Sequence, residues 1–389
     1  MKRLMKKAVA LAAATIIGMT TLAGCAVKDN EVIFTVGDTS VTADMVKFYA
    51  NYMQPQYEEY ALYMIAYQYQ MYGLDMDAPE ELDWDAQVAE DVTYAEDFKE
   101  NYVLAMLQDF YLAKLHMAEY NVELTEEELA EIETAAKTFQ EANADETKET
   151  ISAKKELVTQ FLQLRTIYEK VYNAILDTVD RNVADEDAAQ KRLRYVSFAT
   201  TKTNEDGTTA EMSKDEIAAV KAEAEAFLTA AKANGNLEAY AKEVEATSEK
   251  LTFDKESTDI SKDAIAKADA LQENEFAELI ETESAYYVIQ LESLFDEEAT
   301  KTEKDSIISE RESDKLKEVF DAWEEDSKVV VNEKAWKRLD VVSLKVTQKA
   351  AEAEKKEDDK TTDTTTTDET TEDTTDDTTE GLKVEESAK

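Results

Sequence analysis

The sequence predicts a mainly helical α+β protein, with helical N- and C-terminal parts flanking a small inserted α+β domain. Three observations predict it. Only seven glycines and two prolines, Pro55 and Pro79, punctuate 389 residues. Ala, Glu and Lys are plentiful, and that mix favours long helices and few strands. Apolar residues recur at helical spacing on both sides of a middle block, from about residue 189 to 296, whose two ends alternate like strands.

The elements follow in order. Residues 32–41, VIFTVGDTSV, alternate as a hairpin around Gly37-Asp38, and Thr42 reads as the N-cap of a helix running to about residue 72. Met53, Tyr57, Tyr60, Met64, Tyr67 and Met71 recur there at steps of four and three, which puts them on one stripe. Tyr52, Tyr63, Tyr69 and Tyr72 widen the aromatic surface. Such stripes usually pack as core. The alternative is a loose binding face, because methionine adapts its shape and tyrosine joins an apolar body to a polar tip.

Residues 75–85, DMDAPEELDWD, read as a solvated acidic loop. Calcium is conceivable there, but Pro79 and the missing glycine break the EF-hand pattern. Helices are predicted at about 94–121 and 126–142, the second opened by a Thr125–Glu128 capping box, and a fourth at about 146–180 carries Leu157, Phe161, Leu164, Ile167, Tyr168 and Tyr172. His116 stands in the first of these, away from any acid or nucleophile motif, and reads as structural.

In the middle block, 193–199 reads as a strand and a polar loop holds Asp206-Gly207. A helix opens at the Ser213–Glu216 box and stops near Asn234-Gly235. A short helix covers 237–244, an edge strand 251–253 and a closing strand 286–292. Helix resumes from 302 to 327, and a brief strand at 328–332 and a short element at 336–344 follow. From Lys349 the chain is Thr, Asp, Glu and Lys with almost nothing apolar, so it cannot offset its ordering entropy and reads as disordered.

The first 25 residues address the chain. Lys2, Arg3, Lys6 and Lys7 precede an almost uncharged run from Ala8 to Thr21, closed by Leu22-Ala23-Gly24-Cys25. A basic start, a short apolar run and small residues at the cut describe a secretory leader rather than a membrane span. Leu-Ala-Gly-Cys resembles the bacterial lipobox. That resemblance implies cleavage before Cys25, thioether lipidation of it, and acylation (palmitate-type) of the new N-terminus. The expected address is the extracytoplasmic face of a bacterial membrane.

Composition excludes several chemistries. Cys25 is the only cysteine and His116 the only histidine, so Cys/His zinc sites, disulfides within the chain and two-histidine constellations are ruled out. No P-loop is present and no cofactor is expected. A net charge of −45 repels phosphate backbones, which argues against a nucleic-acid partner.

Five segments then carry a family resemblance. VGDTSVTADMVKFY resembles the opening strand pair and first helix of the extracytoplasmic parvulin-type foldases of the PrsA and SurA type. AEYNVELTEEELAEI resembles their helix end, linker and acidic capping box, and NGNLEAYAKEVEAT a characteristic parvulin helix. ESAYYVIQLES resembles the last parvulin strand, and VVVNEKAWKRL the closing segment.

The resemblance spans roughly residues 30–345. It implies a leader over 1–24, a helical chaperone unit from 25–188 and 297–345, an inserted parvulin-like domain over 189–296, and a tail over 346–389. It also implies unfolded or newly secreted polypeptides as partners. Parvulins usually place histidines in the first and last strands beside a cysteine or aspartate; the matching positions here are Tyr195 and Tyr287. The family's glycine-rich stretch is missing too, since no glycine occurs from 236 to 380. The resemblance therefore implies a chaperone whose isomerase domain is weak or inactive. The alternatives are an active peptidyl-prolyl isomerase using those tyrosines, and a structural or ligand-capturing envelope lipoprotein.

Overall fold

The structure is a computed structural model that describes residues 15–19, 27–74, 76, 79–203, 209–343 and 345–349. Cys25, Asp75, Asp77, the Asp206-Gly207 loop and the tail from 350 lie outside the described residues.

Strands β1 (Val32–Val36) and β2 (Thr39–Thr42) pair antiparallel through a turn in which Gly37 takes φ +54°. That conformation favours glycine, because a Cβ would crowd its own backbone. Helix α1 (Ala43–Met71) follows, with Thr42 at the N-cap position. The Thr42 hydroxyl does not cap the helix as expected: it donates to Asp44 Oδ1 at 2.5 Å. The orphan N–H groups of Ala43 and Asp44 instead donate to the carbonyls of Glu31 and Asp29, so the preceding loop supplies the cap.

The helix expected over 94–121 is segmented. Tyr94–Asp97 and α2 (Met106–His116) are α-helical, Phe98–Ala105 between them is a π-helix, and Met117–Tyr120 closes as a 3₁₀ turn. In the widened turns Phe98, Val103 and Leu104 are all buried while Lys99 is free to reach another part of the chain. Helix α3 (Glu126–Ala142) carries the predicted capping box, both Thr125–Glu128 bonds being present. The single helix expected over 146–180 is broken into Asp145–Thr150 and α4 (Lys155–Leu176). Ile151 and Ala153 turn fully into the core and Ser152 between them takes φ +57°. Burial of those side chains dictates a break that no glycine or proline announces.

The middle block has its own sheet, ordered Ile280–Glu281, β5 (Ala285–Ser293), β3 (Lys191–Ala199), β4 (Glu249–Phe253), with every pairing antiparallel. Side-chain alternation splits its core in two. Val196 and Val288 face helices α5 (Lys214–Asn234) and α6 (Leu237–Glu243) through Phe227, Ala231 and Leu237. Leu193, Ile289 and Leu291 face α7 (Lys262–Asp269), a helix the sequence reading did not anticipate. Gln290 is buried: its Oε1 accepts from the Leu237 N–H, and its Nε2 donates to the Gly235 and Asn274 carbonyls. That residue locks α6 and the loop before β5 to the sheet.

The chain enters and leaves the block at one point. Asp296 N–H donates to the Gln190 carbonyl at 2.7 Å, Arg192 Nη1 pairs with Asp296 Oδ2 at 2.6 Å, and Gln190 N–H donates to Thr300 Oγ1. Helix α8 then runs Glu297–Ser327, starting five residues earlier than expected because Asp296 caps it through the Ala299 N–H.

The C-terminal return completes the N-terminal unit. Val330–Val331 adds a third strand to β1, opposite Thr35 and Phe34, and Asn332 bonds the Ile33 and Val32 carbonyls. The short helix Glu333–Arg338 seats Trp336, whose Nε1 donates to Glu100, while Lys99 Nζ caps the Trp336 and Leu339 carbonyls. His116 lies flat on Trp323 at 4.6 Å, its Nδ1 against Glu119 and its Nε2 against Ser327 Oγ. It ties α2 to α8, the structural role expected of it. Lys345–Lys349 pairs with Thr15–Met19, so strand backbone extends into residues assigned to the tail and into the apolar run of the leader.

Candidate functional site

The Met/Tyr stripe of α1 divides. Met53 is half-buried against the core, and Tyr57 is 4% exposed. The Tyr57 ring stacks on Trp84 at 5.6 Å and meets Tyr102 edge-on at 4.7 Å and Phe98 at 5.0 Å; its hydroxyl donates to Asp97 Oδ2 at 2.7 Å. Burial first, and then that carboxylate, push the Tyr57 phenol far above its ordinary range. These two residues are core.

Beyond Ala61 the helix buries no residue completely. Tyr60 and Tyr67 are exposed and Met64 is half-buried, while Tyr63, Met71 and Tyr72 are exposed by 65, 67 and 79%. Leu74 and Met76, just past the helix end, and Val88 further on are also exposed, and the periodicity singled out none of them. At ~1.5 Å per residue, the stretch from Tyr60 to Met71 presents roughly 17 Å of aromatic and thioether surface to solvent. Single exposed apolar residues are ordinary, whereas contiguous ones mark a contact surface.

The other predicted positions also meet. Tyr195 on β3 lies opposite Ile289 and Tyr287 on β5 opposite Ser197, so the two tyrosines share a face as a diagonal cross-strand pair. Their ring centroids stand 5.7 Å apart. The Tyr195 hydroxyl donates to Glu249 Oε2 on the edge strand at 2.6 Å. Burial, and after it Glu249, push this phenol up to about 12. It stays protonated at neutral pH, with its proton committed to Glu249.

A cavity of about 270 Å³ opens in the helical unit between α2, α4 and α8, lined by Asp109, Tyr168, Tyr172, Phe320, Asp321 and Glu324 among others. Burial there, reinforced by Glu324 and Asp321, pushes the Asp109 carboxyl up to about 7. No helix among the described residues is long and apolar enough to cross a membrane.

No family model and no curated protein matches the chain. Among solved structures it is similar to the foldase protein PrsA of Lactococcus lactis, with 14% identity and a TM-score of 0.30 over 80% of this chain and 100% of that one. It is also similar to the foldase PrsA of Streptococcus pneumoniae, at 18% identity and TM-score 0.27 over 66% and 97% of the two chains. A structure from a pair of SurA-like chaperones of Campylobacter jejuni matches at 10% identity and TM-score 0.25, over 78% and 99%. At scores this low the likeness carries none of the functional reading, which rests on the geometry above.

Proposed function

We propose that this chain is a membrane-tethered extracytoplasmic chaperone that holds unfolded, newly secreted polypeptides. The observation that carries the reading is the exposed Tyr/Met half of α1, followed by exposed Leu74 and Met76, on a unit where Val330–Val331 pairs with β1. Cys25 is the lipid attachment point, residues 25–188 with 297–345 form the holding unit, and 189–296 is a parvulin-like part retained mainly as scaffold. The holding step needs no nucleotide: apolar client segments exchange water for tyrosine and methionine faces. The test is aggregation of a chemically denatured client. Less light scattering with the protein present than without it is expected, and equal scattering refutes the proposal.

The juxtaposed tyrosines favour a second reading, an isomerase. Rotation about an X-Pro bond faces a barrier of ~18–20 kcal/mol and is eased by donors aimed at the twisted amide. With the Tyr195 proton on Glu249, the expected proline-tetrapeptide relaxation is uncatalysed. A catalysed rate lost in Tyr195→Phe or Tyr287→Phe would establish the second reading in place of a scaffold.

A further inference from the structure

The exposed half of α1 belongs to a segment with an unusual charge pattern. From Phe48 to Phe98 there is no Lys, Arg or His, although Lys and Arg make up 43 of the 389 residues. Twelve Asp and Glu and nine of the eighteen tyrosines fall in the same segment. Folding ties the acidic loop of this segment to α1 at Tyr57. Trp84 is stacked on Tyr57, Leu82 is buried, and the Ala86 and Trp84 carbonyls accept the Tyr94 and Ala95 N–H groups. The ring stack seats Trp84 on α1, and the two backbone bonds close the loop and the small hairpin Gln87–Ala89/Val92–Thr93 onto the turn Tyr94–Asp97, with Glu80, Asp85 and Glu90 exposed. Glu59 is exposed one helical turn before Tyr63. The nearest cations in sequence are turned elsewhere: Lys47 to Asp29 and the Val27 carbonyl, Lys99 to the carbonyls of the C-terminal return.

An apolar surface in a segment with twelve carboxylates and no cation of its own discriminates between clients, even with the strand Lys345–Lys349 packed on the same helix. It attracts Lys and Arg, whose ammonium or guanidinium groups also find the tyrosine faces, and it repels acidic segments. An anionic lipid surface is repelled for the same reason. We infer that the exposed Tyr/Met end of α1 is a docking surface for extended polypeptide segments that combine aromatic or aliphatic residues with Lys or Arg. The inference rests on the holding function proposed above and names its client class.

The test uses the full chain in mild detergent and three fluorescent peptides with identical apolar residues, four other positions being Lys, Ser or Glu. At low salt the Lys peptide is expected to bind about tenfold tighter than the Ser peptide, with the Glu peptide weakest. The gap should close as salt shortens the screening length from ~30 Å toward ~3 Å. Neutralising Glu59, Glu80, Asp85 and Glu90 to their amides is expected to remove most of the gap. Neutralising Glu303, Glu310, Asp314 and Glu325 on α8 should leave it. Equal affinity for all three peptides overturns the charge selectivity while sparing the holding function, and no binding of any peptide overturns both. Equal loss from either set of four substitutions overturns the assignment to this surface. Circular dichroism of the variants verifies that they remain folded.

Discussion

The two halves of helix α1 are written in the same alphabet and end in opposite environments. In the first, Phe48, Tyr49, Tyr52 and Tyr57 disappear into a cluster of rings from α2, α3, α4 and the π-helical turns, with centroids 4.7–6.5 Å apart. In the second, Tyr60, Tyr63, Tyr67 and Met71 stand in solvent. The periodicity continues across the boundary, but beyond Ala61 only partial packing remains: Leu62 and Ile65 rest on the core while the stripe's own tyrosines face water. Amphipathic spacing therefore defines a face, and only the neighbouring chain decides whether that face becomes core or surface.

Truncation should break the symmetry most sharply. Tyr57→Ala removes a ring from the buried half and is expected to cost about 3–5 kcal/mol, as large aromatic truncations do. Tyr63→Ala, six residues beyond Tyr57, the last buried tyrosine of the helix, should stay within about 0.5 kcal/mol while weakening aggregation suppression. Urea denaturation of both variants measures the contrast; a similar loss in each would mean the second half is also packed.

A smaller effect concerns the acidic cavity on the same helical unit. The Asp109 carboxyl is raised to about 7, so the folded state binds its proton more tightly than the unfolded state does. Its penalty is therefore absent below about pH 4, grows as pH rises toward 7 and is complete above it. Asp109→Asn should raise stability at pH 8 by the order of 1–2 kcal/mol and change it little at pH 4, which melting curves across that range would detect. Thr125→Ala removes the hydroxyl that accepts the Glu128 N–H and is expected to cost about 1 kcal/mol in the same urea titration. Tyr195→Phe, which loses only a partly exposed bond to Glu249, should be smaller still, within about 0.5 kcal/mol.

Much of the architecture was legible. The Gly37 hairpin, the capping boxes at Thr125 and Ser213, the Gly235 helix stop and the strands at both ends of the middle block are local signals, and each appears where local chemistry put it. The breaks were not legible. Ser152 and the π-helical turns at Phe98–Ala105 answer to distant partners, Asp29 and the C-terminal return, which no window of sequence contains. Helix α7 escaped notice because KDAIAKAD buries only Ala264, Ile265 and Ala268, too little to show a stripe. At the candidate surface the residue types were visible and their exposure was not, since Met53 and Met71 are identical in pattern and differ only in what reaches them.

The hydrogen bond between the Asp296 N–H and the Gln190 carbonyl has an evolutionary meaning. Two points more than a hundred residues apart in the gene touch in space, so the middle block hangs from a closed stem. Its loss, replacement or duplication leaves the flanking ends already within reach of a short splice.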